Sequence, residues 1–514
     1  MYVLNKEQIR AVEDSAYKNG LSYDEMMENA GVNAAKIINK RYGKKYFTVV
    51  CGKGKNGGDG FVVARKLAEI MWHDVTVILA LGESTAPLAL SKFKAMDGVE
   101  VLDATEDLDA CLENIDGSDV IIDAVFGIGF AGSVGGDLKK LFRHINESYA
   151  AKVALDIPSG LDSGANTVPE TFIKAELTLS MYAFKPVHIL KPVSDLCGET
   201  IVVDTGIPSD NSNPNVSFGE TIPLIPNLYE VATLNEVKNK LLPRKYDAHK
   251  GDFGHVLIVA GSYNMPGAAV LAANAAVECG AGLVTAAFPE SAYPAIASKL
   301  TEPLLLPLPE NAEGRISAEA IKKLKPALEK ADTVLMGCGM GLDEDTAKTT
   351  EFVIKNANGT LIIDADGINC AALNINILKE AKAGLILTPH PGEMARLTGL
   401  SIGEINGNRL YAAKDLAEKY GITLLLKGAN TVIAGENRIF VNPTGNPGLS
   451  RGGSGDLLAG IIAAFAANGL PPTEAAASAA FIHGLAADRV AGRHSQLACT
   501  PSRILNEIHN LCNN

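Results

Sequence analysis

The stretch Tyr46–Gly60, YFTVVCGKGKNGGDG, decides the fold of the first half of the chain. Its first six residues predict a buried strand, and its glycine-rich remainder leads into a helical pattern over Phe61–Met71. Gly52, Gly54 and Gly57 have the spacing G-x-G-x-x-G at this strand-to-helix turn, where backbone N–H groups and the helix dipole favour phosphate. A tight turn that needs glycine for backbone reasons alone explains the spacing equally well, because this motif by itself is weak evidence.

Short apolar runs alternate with helical patterns on both sides of this stretch. In the first half the runs are Tyr46–Cys51, Val75–Leu81, Val120–Val125, Val153–Ile157 and Ile201–Val203, after two helices over Asn5–Asn19 and Tyr23–Lys40. In the second half they are His255–Ala260, Leu283–Phe288, Thr333–Met336, Thr360–Asp364, Gly384–Thr388, Thr423–Leu426, Thr431–Ala434 and Arg438–Val441. Such alternation is typical of parallel sheets covered by helices. We interpret Pro208–Pro226, rich in Ser, Asn and Pro, as a linker between two α/β domains over residues 1–215 and 225–514.

Composition excludes several classes of protein. A length of 514 residues argues against a single hydrophobic core. The composition, with 47% hydrophobic and 20% charged residues, is typical of globular proteins and excludes a disordered or coiled-coil chain. The chain has 59 acidic and 46 basic residues, which gives a net charge of −13. This acidic balance argues against non-specific binding to nucleic acid, because no excess of basic residues is available to neutralise phosphates. The eight cysteines lack metal-ligand spacing, and neither a secretory signal nor a membrane span is visible, so we expect a soluble cytoplasmic protein.

Polar residues follow the predicted strands of the first half. Asp59 lies within the glycine-rich loop, where its carboxylate would repel a phosphate unless a cation or a sugar stood between them. Asp123 and Asp156 end two further strands. Taken singly, each acid is better explained as a helix cap or a turn former. Because the carboxyl ends of parallel strands meet at one edge, Asn56, Asp123 and Ser159 are expected to converge there, and their oxygen atoms suit an alkali or alkaline-earth cation.

A second glycine-rich segment, Gly452–Asp456 (GGSGD), precedes the apolar helical pattern Leu457–Asn468. Its exposed N–H groups would form an anion hole, and Asp456 beside them suits a general base that activates a hydroxyl toward a phosphoryl group. A capped helix with Asp456 as its dipole partner is the alternative. Predicted strands also end beside His390 and Lys427, and a simple turn explains either residue as well. The absence of G-x-x-x-x-G-K-[ST] excludes a Walker-type ATPase.

Several motifs in order make the chain similar to a known family. Lys55–Gly60 and Asp156–Gly160 resemble the NAD(P)H-hydrate epimerase domain. His390–Glu393, Lys427–Thr431 and Gly452–Asp456 resemble the ADP-dependent NAD(P)H-hydrate dehydratase, a relative of the ribokinase-like kinases. Together they resemble the bacterial bifunctional nicotinamide nucleotide repair family over nearly the whole chain. The resemblance implies a Rossmann-like three-layer α/β domain followed by a ribokinase-like α/β domain.

The resemblance also implies the chemistry. Hydrated NADH and NADPH (NADHX and NADPHX) exist as R and S epimers, which the first domain, an isomerase, interconverts. The second domain, a lyase, dehydrates the S form to NAD(P)H while ADP becomes AMP and phosphate. As a hypothesis, Asp456 deprotonates the ring hydroxyl, which attacks the β-phosphate of ADP, and phosphate then leaves.

The residues that the resemblance assigns fall into four sets. A potassium ion would be held by Asn56, Asp123 and Ser159. In the first domain the hydrate would bind at Lys55, Asn56, Gly57, Gly58, Asp59, Gly127, Ile128, Gly129, Phe130, Ala131, Gly132, Ser133 and Asp156. In the second domain it would bind at Ala268, Gly341, His390 and Asp456. The adenine nucleotide, with magnesium, would bind at Lys427, Gly428, Ala429, Asn430, Thr431 and Gly455. The catalytic residues would be Asp456 and Asp156.

Two other functions stay open at this stage. A ribokinase-like vitamin-precursor kinase would share the glycine-rich helix start and its aspartate, but it leaves the first domain unexplained. A non-catalytic scaffold role for the first domain is disfavoured, because Asp59, Asp123 and Asp156 are all present. We expect a homo-oligomer whose partners are the hydrates and an adenine nucleotide, with no nucleic acid and no membrane.

Overall fold

The structure is a computed structural model that describes residues 2–71, 73–164, 168–208, 229–241 and 246–513. It divides into two units, Met1–Leu228 and Tyr229–Asn514. Beyond Pro208, the predicted linker Pro208–Pro226 lies outside the described residues, so the domain bounds 1–215 and 225–514 stay predictions. Across the described residues, none of the helices has the length and apolar character needed to cross a membrane.

The first unit is built on a parallel sheet. Its strands are β2 (Tyr46–Cys51), β3 (Asp74–Leu79), β4 (Glu100–Asp103), β5 (Val120–Ala124), β6 (Ala151–Leu155), β7 (Leu177–Met181) and β8 (Glu199–Val203), after a short β1 (Tyr2–Val3). They are ordered β4-β3-β2-β5-β6-β7-β8 and all pair in parallel. The central strands are buried on both faces because helices cover the sheet, which is why they read as continuous apolar runs.

The helices of the first unit are α1 (Lys6–Lys18), α2 (Tyr23–Tyr42), α3 (Lys55–Met71), α4 (Pro87–Lys94), α5 (Leu108–Asp116), α6 (Gly136–Glu147) and α7 (Pro186–Ile189). The first two begin at capping boxes formed by Asn5 with Gln8 and by Ser22 with Glu25. The predicted start of α3 at Phe61 is wrong, since the helix begins at Lys55. Asp59 therefore lies in the second turn of a helix and not in a loop.

The second unit has a larger, mixed sheet. Its strands are β9 (Tyr229–Glu230), β10 (His255–Val259), β11 (Leu283–Pro289), β12 (Leu304–Leu308), β13 (Thr333–Met336), β14 (Thr360–Ile363), β15 (Gly384–Leu387), β16 (Thr423–Leu426), β17 (Val432–Gly435) and β18 (Arg438–Val441). They are ordered β9-β18-β17-β16-β15-β14-β13-β10-β11-β12. The pairs β16–β17 and β17–β18 are antiparallel, and the other pairs are parallel.

Helices cover both faces of this second sheet. They are α8 (Leu234–Lys240), α9 (Pro266–Glu278), α10 (Tyr293–Ala297), α11 (Ile321–Leu328), α12 (Glu344–Asn356), α13 (Ala365–Ala372), α14 (Pro391–Thr398), α15 (Ile402–Gly407), α16 (Arg409–Tyr420), α17 (Ser454–Ala467), α18 (Pro472–Arg493) and α19 (Pro501–Asn513). Two separate hydrophobic clusters pack on opposite sides of the strands. The predicted α/β class is thus confirmed in both units.

Each sheet has a point where the strand order reverses. In the first unit the chain runs outward through β2, β3 and β4 and then returns to β5 on the other side of β2. In the second unit it runs outward through β10, β11 and β12 and returns to β13. Loops separate at such a reversal and leave a crevice at the carboxyl ends of the strands, where α/β proteins bind ligands. The two glycine-rich segments singled out in the sequence lie at these edges.

Candidate active sites

A cavity of about 770 Å³ opens beside the β2–β5 reversal of the first unit. The predicted hydrate-binding residues that line it are Lys55, Asn56, Asp59, Gly127, Ile128, Gly129, Phe130, Ala131 and Asp156. Gly57, Gly58, Gly132 and Ser133 are not among its lining residues. A Cβ on Gly57 would lie 1.9 Å from the carbonyl oxygen of Gly52. Gly57 thus serves the close approach of two backbone segments.

Asn56 reaches from the start of α3 to the neighbouring loops. Its amide Nδ2 donates to the carbonyl oxygens of Phe126 at 2.8 Å and Leu155 at 3.1 Å. Its Oδ1 is buried and accepts no hydrogen bond. A buried carbonyl oxygen without a partner is costly in a folded protein. This atom is therefore suited to bind a cation.

Asp123 and Ser159 lie beside Asn56 and are almost fully buried. Asp123 accepts hydrogen bonds from the hydroxyl of Ser159 at 2.5 Å, the N–H of Ser159 at 2.7 Å and the N–H of Val125 at 3.2 Å. The Phe126 backbone joins the group, because its N–H donates to Ser159 Oγ at 2.8 Å. Burial raises the pKa of Asp123 to about 6, against the opposing effect of these hydrogen bonds. The structure thus brings the three predicted cation ligands together.

Asp156 follows β6 with a positive φ of 64°, a conformation that non-glycine residues rarely adopt. Its Oδ1 accepts from Lys185 Nζ at 2.6 Å, and its Oδ2 accepts from the N–H of Ile128 at 2.9 Å. Burial alone would raise its pKa, but the charge and hydrogen bond of Lys185 outweigh burial and lower the pKa of Asp156 below its ordinary value. Asp156 is therefore an ionised carboxylate in the cavity wall.

The sequence reasoning missed Lys185. Its only local signal is a lysine before Pro186, shortly after an apolar run, which is an ordinary pattern.

Asp59, which was predicted as a hydrate-binding residue, has a pKa shifted in the opposite direction to that of Asp156. Burial, together with the charges of Asp156 and Glu13, raises the pKa of Asp59 well above its ordinary value. Two carboxyl groups in one cavity thus favour different protonation states.

In the second unit the central ion pair joins Lys427, after β16, to Asp364, after β14. Lys427 Nζ lies 2.8 Å from Asp364 Oδ1, which also accepts from Thr388 Oγ1 at 2.6 Å. Burial opposes ionisation of Asp364, but Lys427 and Thr388 lower its pKa below the ordinary value. The sequence reasoning predicted Lys427 and missed the role of Asp364.

Asp456 lies in the first turn of α17, whose N-cap Gly453 has a positive φ of 89°. One carboxylate oxygen of Asp456, one carboxylate oxygen of Asp364 and the Sγ of Cys338 all lie within 4.8 Å of one another. A Cβ on Gly455 would lie 3.6 Å from Lys427 Nζ. The N-terminus of α17 thus brings its free N–H groups and Asp456 to the ion pair. Burial and the charge of Asp364 raise the pKa of Asp456 above its ordinary value, which suits a proton acceptor.

His390 caps α14 beside this cluster. Its Nδ1 accepts from the N–H groups of Gly392 at 2.9 Å and Glu393 at 3.3 Å, so Nδ1 carries no proton. Burial and the charge of Lys427 lower the pKa of His390, which is therefore neutral at pH 7. Glu393 Oε2 lies 3.9 Å from Lys427 Nζ, which connects His390 to the ion pair.

The remaining predicted residues surround the cluster less directly. The N–H of Gly341 donates to Asp366 at 2.8 Å, and the charge of Asp366 acts on Asp456. Ala268 packs against Gly339, in the loop before Gly341. In the segment Lys427–Thr431, Thr431 donates to the carbonyl of Gly428 at 2.9 Å. Ala429 and Asn430 lie in the turn between β16 and β17, where Asn430 has a positive φ of 52°.

Comparisons with known proteins cover both units. The family model described as YjeF-related protein N-terminus matches residues 23–187, and the one described as NAD(P)H-hydrate dehydratase matches residues 256–510. A bifunctional NAD(P)H-hydrate repair enzyme of Moorella thermoacetica is 35% identical over 492 residues, which are 93% of this chain and 90% of that protein. The enzyme of the same name from Coxiella burnetii is 37% identical over 494 residues, 94% of each chain.

Among solved structures, a protein of Streptococcus mutans described as hypothetical is 32% identical with a TM-score of 0.50. The match covers 55% of this chain and 99% of that chain. The chain is therefore similar to the two bifunctional enzymes over 93% and 94% of its length, and to the Streptococcus mutans protein over 55% of it.

Proposed function

The chain belongs to the family of bifunctional NAD(P)H-hydrate repair enzymes, and from this premise we propose the reaction of each unit. The first unit epimerises the R and S forms of hydrated NADH and NADPH. The second unit dehydrates the S form to NAD(P)H and uses an adenine nucleotide. The observation that carries this proposal is that relatives at least 35% identical match both units in one chain. A vitamin-precursor kinase would leave the first unit without a role.

In the first unit the hydrate occupies the 770 Å³ cavity, with its reacting ring beside Asp59 and Asp156. The unpartnered Oδ1 of Asn56 and the buried oxygens of Asp123 and Ser159 fit an oxygen-liganded potassium ion. Potassium would supply a fixed positive charge that compensates Asp123 and attracts the phosphates of the substrate.

In the second unit ADP lies with its phosphates at the N-terminus of α17 and at Lys427. The free N–H groups of the first helical turn and the ammonium group both attract anions. Asp364 holds the ammonium in place at 2.8 Å. Lys427 holds Asp364 Oδ1, whereas Asp364 Oδ2 lies 3.7 Å from the Cys338 Sγ. Oδ2 is therefore the carboxylate oxygen that would bind magnesium, which would neutralise phosphate charge.

Asp456 then takes the proton of the ring hydroxyl. The hydroxyl oxygen attacks the β-phosphorus of ADP, and the bond from that phosphorus to AMP breaks. The ring now carries a phosphate ester, a better leaving group than hydroxide. Loss of phosphate and of a proton from the neighbouring ring carbon restores the double bond. Gly341 and His390 border the position of the ring.

The experiment is incubation of mixed hydrate epimers with the full chain and ADP or ATP, while the absorbance of reduced nicotinamide is followed. Complete recovery with ADP is expected. Recovery that stops at the S fraction would remove the epimerase assignment, and no recovery with either nucleotide would remove the dehydratase. Parallel runs with NADHX and NADPHX measure the preference between them.

A homo-oligomeric state and a cytoplasmic location are further parts of the proposal. Size-exclusion chromatography with light scattering and cell fractionation test them.

A further inference from the structure

Lys185 is 1% exposed and ranks among the largest fully buried side chains of the described residues. Its ammonium donates to Asp156 Oδ1 at 2.6 Å, the carbonyl of Met181 at 2.7 Å and Ser180 Oγ at 3.1 Å. All three N–H donors are therefore used, and they fix the position of the charge. Burial of a charge is costly, and the same volume could hold an apolar side chain. Lys185 lines the cavity of the first unit, where a fixed charge can act on a ligand.

His188 reinforces this arrangement without adding charge. Its Nδ1 accepts from the N–H of Lys185 at 3.0 Å, and its Nε2 lies 2.9 Å from the carbonyl oxygen of Asp156. Burial and the charge of Lys185 lower the pKa of His188 to about 3, so the ring is neutral at pH 7. The backbones of Lys185 and Asp156, 29 residues apart, are thus held together.

Asp59 faces the same cavity from α3. Asp59 and Asp156 interact electrostatically, and Lys185 acts on both carboxyl groups. Because Lys185 is hydrogen-bonded to Asp156, it stabilises the anion there, and the proton of the pair resides on Asp59. Pairs of titratable groups whose surroundings favour opposite protonation states are typical of acid–base catalysis.

We propose that Asp59 is the proton donor of the epimerisation, that Asp156 is its anionic partner, and that Lys185 is the positioning residue that keeps the two roles distinct. The proposal rests on the epimerase function proposed for the first unit and names the groups that carry it out.

The chemistry follows from the substrate. Hydration of an enamine places the hydroxyl on the carbon bonded to nitrogen, so the chiral carbon of the hydrate is next to the ring nitrogen. Asp59 gives its proton to that hydroxyl, the C–O bond breaks, and water leaves. The nitrogen lone pair forms a C=N bond, and the Asp156 carboxylate stabilises the positive charge. Solvent water then adds to the opposite face, and its oxygen forms the new C–O bond. The proton that this water loses passes to the solvent, from which Asp59 is protonated again.

Other charged groups also line the cavity, namely Arg10, Glu13, Lys53 and Lys55. Lys55 Nζ pairs with Glu13 at 3.0 Å and lies 4.8 Å from the ring centroid of Tyr23. Lys53 is exposed. It serves as the control, since its removal also deletes a positive charge from the cavity without touching the Lys185–Asp156 pair.

The test uses the full chain with its own dehydratase and ADP to detect the S form produced from the pure R epimer. For D59N we expect epimerisation to fall by about 10²- to 10⁴-fold. For K185M we expect a similar fall and an acidic limb of the pH–rate profile that moves upward, since the Asp156 carboxylate loses its cation. K185R should restore part of the rate, and K53M should keep the pH limb of the unmodified protein. All variants should dehydrate the pure S epimer at the unmodified rate.

Epimerisation in ¹⁸O-labelled water adds a readout that needs no variant. We expect one labelled oxygen in the product epimer, because the proposed step breaks the C–O bond. An unlabelled product, a D59N rate equal to that of the unmodified protein, or an unmoved pH limb in folded K185M would each overturn the proposal. If K185M fails to fold, D59N and the label decide. Failure of the unmodified protein to epimerise at all would instead overturn the proposed function.

Discussion

Asp123 is a buried carboxyl group whose hydrogen bonds come from Ser159 and from the N–H of Val125. Its pKa of about 6 lies above the value in an unfolded chain. Protonation therefore stabilises the fold below that pH, and this stabilisation is lost as the pH rises through about 6. Above pH 6 the charge needs a cation, so we predict that potassium raises the melting temperature of the first unit there and has little effect at pH 5.

The size of this effect follows from mass action, since a ligand at a hundredfold excess over its Kd stabilises by about 2.7 kcal/mol. Differential scanning calorimetry with potassium, sodium or choline chloride at equal ionic strength measures it. D123N should remove the potassium-specific shift. A shift that is equal for all three salts, or that persists in D123N, would contradict the site.

Asp456 supports a prediction about activity. D456N keeps the size of the side chain but removes the proton acceptor, so dehydration of the pure S epimer should fall by about 10²- to 10⁴-fold. Interconversion of the epimers, followed by NMR, should continue at its original rate. Unchanged dehydration by D456N would exclude Asp456 as the general base.

The sequence was informative about residues in dense local motifs and uninformative about their long-range partners. Asp456 and Asn56 stand in glycine-rich segments that are unusual in themselves. Lys185 and Asp364 stand in ordinary surroundings, and they become significant only through partners 29 and 63 positions away. Such pairs depend on which strands become neighbours in the sheet. A single sequence does not contain that information in any local pattern.

At the scale of elements, glycine obscured the start of α3. The sequence predicted a loop through Gly60 because glycine is a poor helix former. Tertiary packing overrides that preference, since a Cβ on Gly60 would lie 2.6 Å from the Cβ of Ala124 in β5. The strands β1, β4, β7, β9 and β12 were not predicted either. They are short, and polar residues or proline interrupt two of them, as in LTLSM and LLLPL.

Two glycines in α17 have different surroundings, and substituting each of them distinguishes a role in packing from a role in ligand binding. A Cβ on Gly455 would make ordinary contacts, 3.6 Å from Lys427 Nζ and 3.7 Å from Asp364 Oδ2. A Cβ on Gly460 would lie 2.3 Å from the carbonyl oxygen of Ala272. We therefore predict that G455A folds normally but raises the KM for ADP, because the methyl group intrudes on the proposed phosphate position.

The matched variant G460A should instead lower the stability by about 1–3 kcal/mol through overpacking. Its KM for ADP should stay unchanged in the folded protein. Thermal unfolding and steady-state kinetics of the two variants provide the comparison. A G455A protein as unstable as G460A, or one with an unchanged KM, would show that Gly455 is needed for packing alone.

At the scale of the whole molecule, the net charge of −13 contrasts with the anionic ligands that the family uses. The charge argued against non-specific binding to nucleic acid, but it is a poor guide to these small ligands because their binding depends on local fields. The start of α17 directs free N–H groups at the ion pair of Lys427, and the cavity of the first unit contains Arg10, Lys53 and Lys185. Each unit thus places a few anion-binding groups at one edge of its sheet, and the net charge of the chain does not report them.

Each unit contains its own candidate active site. Among the described residues, all those that line the first cavity belong to the first unit, and Lys427, Asp364 and Asp456 belong to the second. We therefore predict that the two activities complement each other between chains. Over the time in which the unmodified protein finishes the conversion, D456N alone should form almost no NAD(P)H, and D59N alone should convert little beyond the S fraction. An equimolar mixture should convert both epimers completely, because S hydrate released by one chain reaches the dehydratase of another. The absorbance of reduced nicotinamide reports the outcome, and a mixture that stops at the S fraction would mean that the hydrate must pass between units of the same chain.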